Sequence, residues 1–396
     1  MDALYTSFDL TDLLNTGAAR EAQMAQLAGT ALTAGIDAFR EKDYDKAAKA
    51  FRRATALSPS GAYAPQAFKY LSAAYQKLGK TEEAIKAYQS GIKFNPQNDD
   101  MRAELGNLYF AEQRWADAET HYKAAVRINP SVKNTFALGQ LYMKTERWAD
   151  AELQFNKVIT KAPKEAGGYF GLGQALAKQK RFNEAIPLFT KALDLDKNFD
   201  DARLEMAITY ADMGDAETAQ TILKAMEGSK SNLSVLLKDY LYQTERPRIE
   251  FTTLESTFIP KFPMKTPVAA MDSYLEAANA EKQFTMVFQF SKEMDLGSVM
   301  NRFNWRIGRA DGREGGTYNF GLPIPDTEAS IAPFPDTVIY DKKTYQATVT
   351  FTIRQNATAD ATMDPSHILF RFSGKDIFGN RMDSSADSFS GFSGIK

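Results

Sequence analysis

Two histidines, His121 and His367, are the side chains best suited to proton transfer or metal ligation near neutral pH. His121 sits beside Tyr122 in a helical pattern and reads as a partly exposed helix position. His367 opens a strand-like run after Asp364-Pro365 and reads as structural. Neither has a second histidine or a carboxylate set at ligand spacing, so no metal site or nucleophile–base pair follows. Gly79-Lys80-Thr81 matches the end of a phosphate-cradling loop. That loop needs glycine at position 74, where Ala74 stands. GLGQAL (171–176) starts like a dinucleotide fingerprint, but Leu176 replaces its third glycine and no strand precedes it. Asp360 and Asp364 in TADATMDPSH offer at most weak calcium binding, beside the plainer reading of a solvated loop and a proline turn. Asn356-Ala357-Thr358 has the form of a glycosylation sequon and nothing else to support it. The chain has no cysteine, which excludes disulfides, thiolate-bound zinc and thiol catalysis. The sequence therefore predicts no catalytic residue, no metal, no cofactor and no enzyme.

Composition points the same way. Of 396 residues 44% are hydrophobic and 25% charged, and the net charge is −2. No basic field marks a nucleic-acid partner. No apolar run is long enough to cross a bilayer, so no membrane insertion is expected. The N-terminal stretch MDALYTSFDLTDLLNTGAAR lacks a basic start and carries Asp2, Asp9 and Asp12. It reads as an amphipathic helix, Leu4 to Leu14, packing on the next helical segment, not as a cleaved signal. The alternative is a docking or export element used without cleavage.

The elements that would position a site come from an internal repeat. Five segments share a small residue, an aromatic four residues on, and usually a small residue three further. They are Ala47/Phe51/Ala54, Ala84/Tyr88/Gly91, Ala118/Tyr122/Ala125, Ala151/Phe155/Val158 and Ala185/Phe189/Ala192. Four of them close on Pro59, Pro96, Pro130 and Pro163, which lie 37, 34 and 33 residues apart. Ala219/Leu223/Met226 is a sixth, weaker unit. Upstream of each unit runs a second helical pattern, such as Leu105-Gly106…Tyr109, Leu138-Gly139…Tyr142, Leu172-Gly173 and Leu71…Tyr75. Small residues let two antiparallel helices approach, the aromatic fills the gap between hairpins, and proline ends the second helix.

These units resemble tetratricopeptide repeats over about residues 28–230. The resemblance implies an α-helical superhelix of about six repeats. The first repeat (Gly35…Tyr44) is degenerate, with Ala31, Ala34 and Ala38 in its first helix, and Asn232–Glu245 reads as a capping helix. The expected organisation is an N-terminal helical segment (1–27), the array with its cap (28–247), a linker or edge segment (248–282) and a β-domain with a Ser/Gly-rich tail (283–396).

After Pro247 the helical period gives way to alternation. Strand-like runs are IEFTTLESTF (249–258), FTMVFQFS (284–291), FNWRIGRA (303–310), DTVIY (336–340), TYQATVTFTIR (344–354) and HILFRFSG (367–374). AAMDSYLEAANAEK (269–282) reads as one short helix, and IPKFPMKTP (259–267) as linker or edge. Several short strands with polar turns predict a β-sandwich. FSKEMD (290–295) and the turn Asp376-x-x-Gly379-Asn380 resemble bacterial Ig-like domains of the SbsA type. That resemblance implies a bacterial source and a spacer, adhesion or assembly role, without catalysis.

In such arrays the first helix of each hairpin lines a groove. Its exposed stripe here reads Lys69, Ala73, Gln76; Ala103, Asn107, Phe110; Phe136, Gln140, Met143 with Lys144; and Phe170, Gln174, Ala177 with Lys178. Asn107, Gln140 and Gln174 fall at equivalent sites and would bond to a peptide backbone. Phe110, Phe136 and Phe170 either anchor a partner or fill space between repeats. Some repeat arrays clamp a C-terminal carboxylate with a Lys/Asn pair; here Ala73 follows Lys69 and Ala103 precedes Asn107, so the clamp is not reproduced. The expected function is a protein-binding scaffold, cytoplasmic, with partner contacts at Lys69, Asn107, Phe110, Phe136, Gln140, Met143, Lys144, Phe170 and Gln174. The competing expectation is a structural part of a bacterial envelope or appendage, reaching the surface without a cleaved signal.

Overall fold

A computed structural model describes residues 10–228, 232–312 and 316–391, with side chains from residue 17. The chain divides into two compact units, Met1–Ser234 and Val235–Lys396. The first is built of helical hairpins: α1 (Leu10–Arg40) with α2 (Tyr44–Leu57), α3 (Ala64–Lys77) with α4 (Thr81–Phe94), and α5 (Asp99–Ala111) with α6 (Trp115–Ile128). Next come α7 (Val132–Lys144) with α8 (Trp148–Lys161), α9 (Ala166–Lys178) with α10 (Phe182–Leu195), and α11 (Asp200–Met213) with α12 (Ala216–Glu227). These are the six expected hairpins. One boundary differs. The expected break at 27/28 falls inside α1, a single helix of 31 residues. Its Ala- and Leu-rich run contains no proline to stop it. The expected packing of Leu4 to Leu14 lies outside the described side chains.

Local chemistry explains each hairpin. Second helices stop at Ser58, Asn95, Asn129 and Ala162, each of which precedes a proline. A following proline excludes helical geometry for that residue, and Asn129 is extended, at φ −139° and ψ 102°. Side-chain caps start other helices, with Asn98 Oδ1 accepting from Met101 N and Ser131 Oγ from Asn134 N. The turn inside every hairpin holds one left-handed residue: Lys42, Gly79, Gln113, Glu146, Lys180 and Gly214. Only two of the six are glycine.

The repeated small residues lie at the helix contacts. Ala47, Ala84, Ala118, Ala151, Ala185 and Ala219 are fully buried. The aromatics Phe51, Phe155 and Phe189 are equally inaccessible. Each contributes about 1.5–3 kcal/mol by leaving water. Phe155 is held between Gly139 of its own hairpin and Gly171 of the next. An arginine ladder also joins successive hairpins. Arg114 reaches Glu82 and Asp117, Arg147 reaches Glu119 and Asp150, and Arg181 reaches Glu152 and Glu184.

The second unit is rich in sheet. Its strands are β1 (Ile249–Thr252), β2 (Thr266–Pro267), β3 (Glu281–Phe290), β4 (Trp305–Arg309), β5 (Ser330–Ile331), β6 (Thr337–Asp341), β7 (Gln346–Arg354), β8 (Thr362–Met363), β9 (Ile368–Phe372) and β10 (Ser388–Phe389). One sheet runs β1-β3-β7-β5 with β6 also on β7; a second runs β10-β9-β4; β2 pairs β8. Every strand pairing is antiparallel. Inner-face aromatics of the two larger sheets meet: Phe288 lies 5.2 Å from Trp305 and 5.5 Å from Phe370, and Phe351 lies 5.2 Å from Phe370.

Three expectations are refined or corrected here. Of the two readings of 248–282, linker or edge segment, the structure favours the second: β1 ends its sheet, Thr266–Pro267 pairs with β8, and Phe258 is buried among Phe284, Phe351 and Phe370. Residues 269–282 form no single helix. They make two 3₁₀ turns, Val268–Ala270 and Ser273–Glu276, split by Asp272, whose carboxylate caps Tyr274 N. The helix expected to cap the array, α13 (Leu233–Thr244), falls largely in the second unit. The buried Lys292 ammonium donates to the carbonyls of Tyr242 and Glu245 and pairs with the buried Asp376 at 3.0 Å. Asn380 donates to Gln243 O at 2.6 Å. Lys292, held by Asp376, and the turn residue Asn380 therefore donate to the orphan carbonyls at a helix C-terminus.

Candidate partner-binding groove

The first helices of neighbouring hairpins touch each other: α1 with α3, α5 with α7, α7 with α9, and α9 with α11. The stripe that these first helices leave open is the candidate groove. Its period follows from helix geometry: residues spaced by three and four share a face.

The sequence-derived stripe divides by environment. Phe110, Phe136, Met143 and Phe170 are half-buried against the array's core. Phe110 packs edge-on to Trp115 at 5.2 Å, Phe136 to Phe155 at 5.5 Å, and Phe170 lies 4.8 Å from Phe199. Each ring thus fills space beside or between hairpins and leaves its remainder open. The amides behave unequally. Asn107 accepts from Tyr122 Oη at 2.7 Å and donates to Glu104 at 3.1 Å, so its groups are already engaged. Gln174 donates to Glu205 on α11 at 3.0 Å. Gln140 makes no hydrogen bond among the described residues and is half-buried. Lys69 and Lys144 are exposed, without an ion-pair partner among the described residues.

One part of the groove was not singled out from sequence. A cavity of about 280 Å³ between α3 and α5 is lined by Gln66, Lys69, Tyr70, Tyr88, Asp100 and Glu104, among others. Lys133 crosses from α7 to Glu104 at 3.1 Å and Asp100 at 3.5 Å. Burial alone would depress the Lys133 ammonium, but its bonds to these carboxylates hold its pKa above the usual lysine value. Burial, with a smaller push from Glu104, raises the Tyr88 and Tyr122 hydroxyls, so both stay neutral. The missed signal was present: Lys133 stands three residues before Phe136, and Asp100 three before Ala103, on the same stripe.

The residues considered for chemistry are scattered. His121 is half-buried and stacks on Tyr109, with its pKa lowered by burial. His367 is buried in the second unit, 2.7 Å from Asp364, which also accepts from Ser366 and Asn319 N. Asp360 instead accepts from Asn356 and Thr358 in an exposed loop. Among the described residues no group of three or more potential ligands is placed to hold a metal. Among them, too, no helix is long and apolar enough to cross a membrane.

Known proteins share the repeat. Tetratricopeptide repeat models match residues 136–200 and 176–232, and a TPR repeat model matches 73–112. Protein bimA of Emericella nidulans is 34% identical over 91 residues, covering 23% of this chain and 11% of its own length. The Hsp70-Hsp90 organizing protein 2 of Arabidopsis thaliana is 27% identical over 170 residues, 39% of this chain and 30% of its own. These matches span less than a third of either relative. A tetratricopeptide repeat protein from Parabacteroides merdae is similar at 17% identity and a TM-score of 0.48, over 55% of this chain and 86% of that one. The helical unit of this chain carries tetratricopeptide repeats.

Proposed function

We propose that this protein is a non-enzymatic scaffold whose repeat groove binds an extended segment of a protein partner. The observation that supports it most is the row formed by Phe136, Gln140, Met143 and Lys144 on α7. Two apolar side chains are part-open, and among the described residues one amide has no hydrogen-bond partner and one cation no ion-pair partner. An extended chain offers what they lack: backbone carbonyls for Gln140, apolar side chains for Phe136 and Met143, and a carboxylate for Lys144. Apolar anchors add about 1–3 kcal/mol each when covered, which after ordering costs gives an affinity of roughly micromolar order. Lys69 and the cavity beside it extend the same row toward the N-terminus.

We read the second unit as an Ig-like building block that holds another component. Its two larger sheets share an aromatic core, and Asp376, Gly379 and Asn380 form a tight turn, with Gly379 at φ +91°. The adaptor reading places the protein in the cytoplasm; fractionation of the native cells tests that against an envelope role.

The groove is tested by selecting random displayed peptides against the full chain and measuring their affinity for Gln140→Ala/Lys144→Glu. Loss of about tenfold or more at unchanged helicity is expected. Selected peptides that bind this variant as tightly as the wild type would overturn the assignment. Phe136 and Phe170 are poor choices for that test, since each also packs on the core.

A further inference from the structure

The second unit carries a polar cleft that none of its sheet packing requires. From Phe370 to Asp376 the chain alternates: Phe370, Phe372, Gly374 and Asp376 are buried, while Arg371, Ser373 and Lys375 face outward. Directly opposite Lys375 across an antiparallel bridge is Arg381. Opposite Arg371 on β4 is Arg306. Like charges set directly across a sheet repel. Arg371 has a carboxylate nearby, Asp387 at 3.4 Å, and Arg306 stacks on Phe334. Lys375 and Arg381 have no ion-pair partner among the described residues, and both are exposed.

These two cations line a cleft of about 680 Å³. Its other walls are Asp295, Asn301, Asn304 and Ser373, with glycine backbone and Ser298 between. No aliphatic or aromatic side chain contributes to the lining. Part of the polar capacity is engaged internally. Asp295 Oδ1 accepts from Ser298 N, Asn301 Oδ1 accepts from Phe303 N, and Asn304 Nδ2 donates to Ser298 O. That leaves the Asn301 amide NH₂, the Asn304 Oδ1, the Ser373 hydroxyl's acceptor sites and the second Asp295 oxygen available.

We propose that this cleft binds an acidic sugar, with its carboxylate between Lys375 and Arg381 and its hydroxyls on Asn301, Asn304, Ser373 and Asp295. Three features of the lining select this class. Two facing cations without a counter-charge call for an anion. A cleft of several hundred Å³ is far larger than a single inorganic anion and falls in the range of small-molecule sites. The Asp295 carboxylate repels a bare anion but accepts hydroxyl hydrogens, which a sugar acid presents beside its charge. A single-stranded nucleic acid would require stacking surfaces, and an acidic peptide apolar contacts; the cleft supplies neither.

The test is calorimetric titration of the full chain with galacturonate and with trigalacturonate, alongside glucose, inorganic phosphate and a short single-stranded oligonucleotide. Saturable binding of a uronate is expected, with glucose and phosphate at least tenfold weaker. Equal affinity for monomer and trimer assigns a free sugar acid; a marked preference for the trimer assigns a polymer. Lys375→Ala/Arg381→Ala should lose at least tenfold in uronate affinity without a fall in melting temperature, because removing the facing cations relieves repulsion. Lys342→Ala, on another exposed loop, should bind as wild type. The proposal is overturned if neither uronate saturates, if phosphate or the oligonucleotide binds as well as the uronates, or if the double variant keeps its affinity.

Discussion

Two glycines of one helix, Gly167 and Gly171 on α9, should respond to alanine with opposite signs. A methyl group at Gly171 would sit 2.6–2.7 Å from three atoms of the Phe155 ring. Carbon atoms rest at roughly 3.5–4.0 Å, so the ring must move by about 1 Å. It has no exit: Phe155 is fully buried, and the backbone at Gly139 closes the other side, where an added Cβ would meet the same ring at 2.8 Å. Overpacking of this kind costs about 1–3 kcal/mol. Alanine's helix propensity returns about 1 kcal/mol, leaving a net loss of roughly 0–2 kcal/mol. At Gly167 the nearest atom is Phe136 Cε2 at 3.6 Å, an ordinary contact. Gly167 is only the second residue of α9, where propensity acts less than in the interior, so Gly167→Ala should gain roughly a few tenths of a kcal/mol. For a unit of this size each kcal/mol moves the melting temperature by about 2–4 °C. Circular dichroism at 222 nm on the two single variants measures the contrast. Phe155→Leu in the Gly171→Ala background should recover part of the loss, as expected for residues in contact. If Gly171→Ala melts above wild type, the ring is not confined and the account of hairpin packing fails.

The left-handed turn residues Lys42, Gln113, Glu146 and Lys180 are exposed, and changing each to glycine should raise thermal stability by a few tenths to about 1 kcal/mol, since an L side chain there costs about 1–2 kcal/mol. A fall in melting temperature for the fourfold variant would contradict this. Lys292→Met strands the buried Asp376 carboxylate and should cost about 3–5 kcal/mol in the second unit, with Lys292→Met/Asp376→Asn recovering part in urea unfolding. Equal loss in the single and double variants would show that the charge is not what matters. Arg147→Ala breaks two ladder contacts, but its side chain is 41% exposed, so the loss should stay near ~1 kcal/mol by chemical denaturation.

The hairpins were legible because the signals are local and repeated. Ala151, Phe155 and Pro163 all act within one helix and its end, and the same spacing recurs along the chain. The long strands β3 and β7 were legible for the same reason: their alternation persists over nine or ten residues. Two-residue pairings such as Thr266–Pro267 with Thr362–Met363 are too short to carry a period. The placement of α13 was hidden for a different reason. Its amphipathic pattern suits any apolar surface, and the choice rests on Lys292 and Asn380, 50 and 137 positions from the carbonyls they bind. The arginine ladder lies between these extremes. Arg-Trp-Ala-Asp-Ala-Glu occurs at 114–119 and again at 147–152, a visible repeat whose cross-hairpin contacts depend on the superhelix.

For the groove, periodicity located the stripe, but burial decided what each position can do. Asn107, Gln140 and Gln174 are equivalent in sequence, yet among the described residues Gln140 alone of the three makes no hydrogen bond, because Tyr122 and Glu104 engage Asn107 and Glu205 engages Gln174. None of those partners shares a helical face with its amide in a way a single-helix pattern reveals, apart from Glu104. The aromatics show the converse. Phe136 and Phe170 read as ligand anchors or as packing, and the structure makes each ring serve the core on one side while leaving the other open. A residue with both duties couples partner affinity to repeat stability. Loss of binding on changing Phe136 would therefore not by itself locate the partner. Gln140, Lys144 and Lys69 carry no hydrogen bond or ion pair among the described residues, so changes there are the ones that separate recognition from folding.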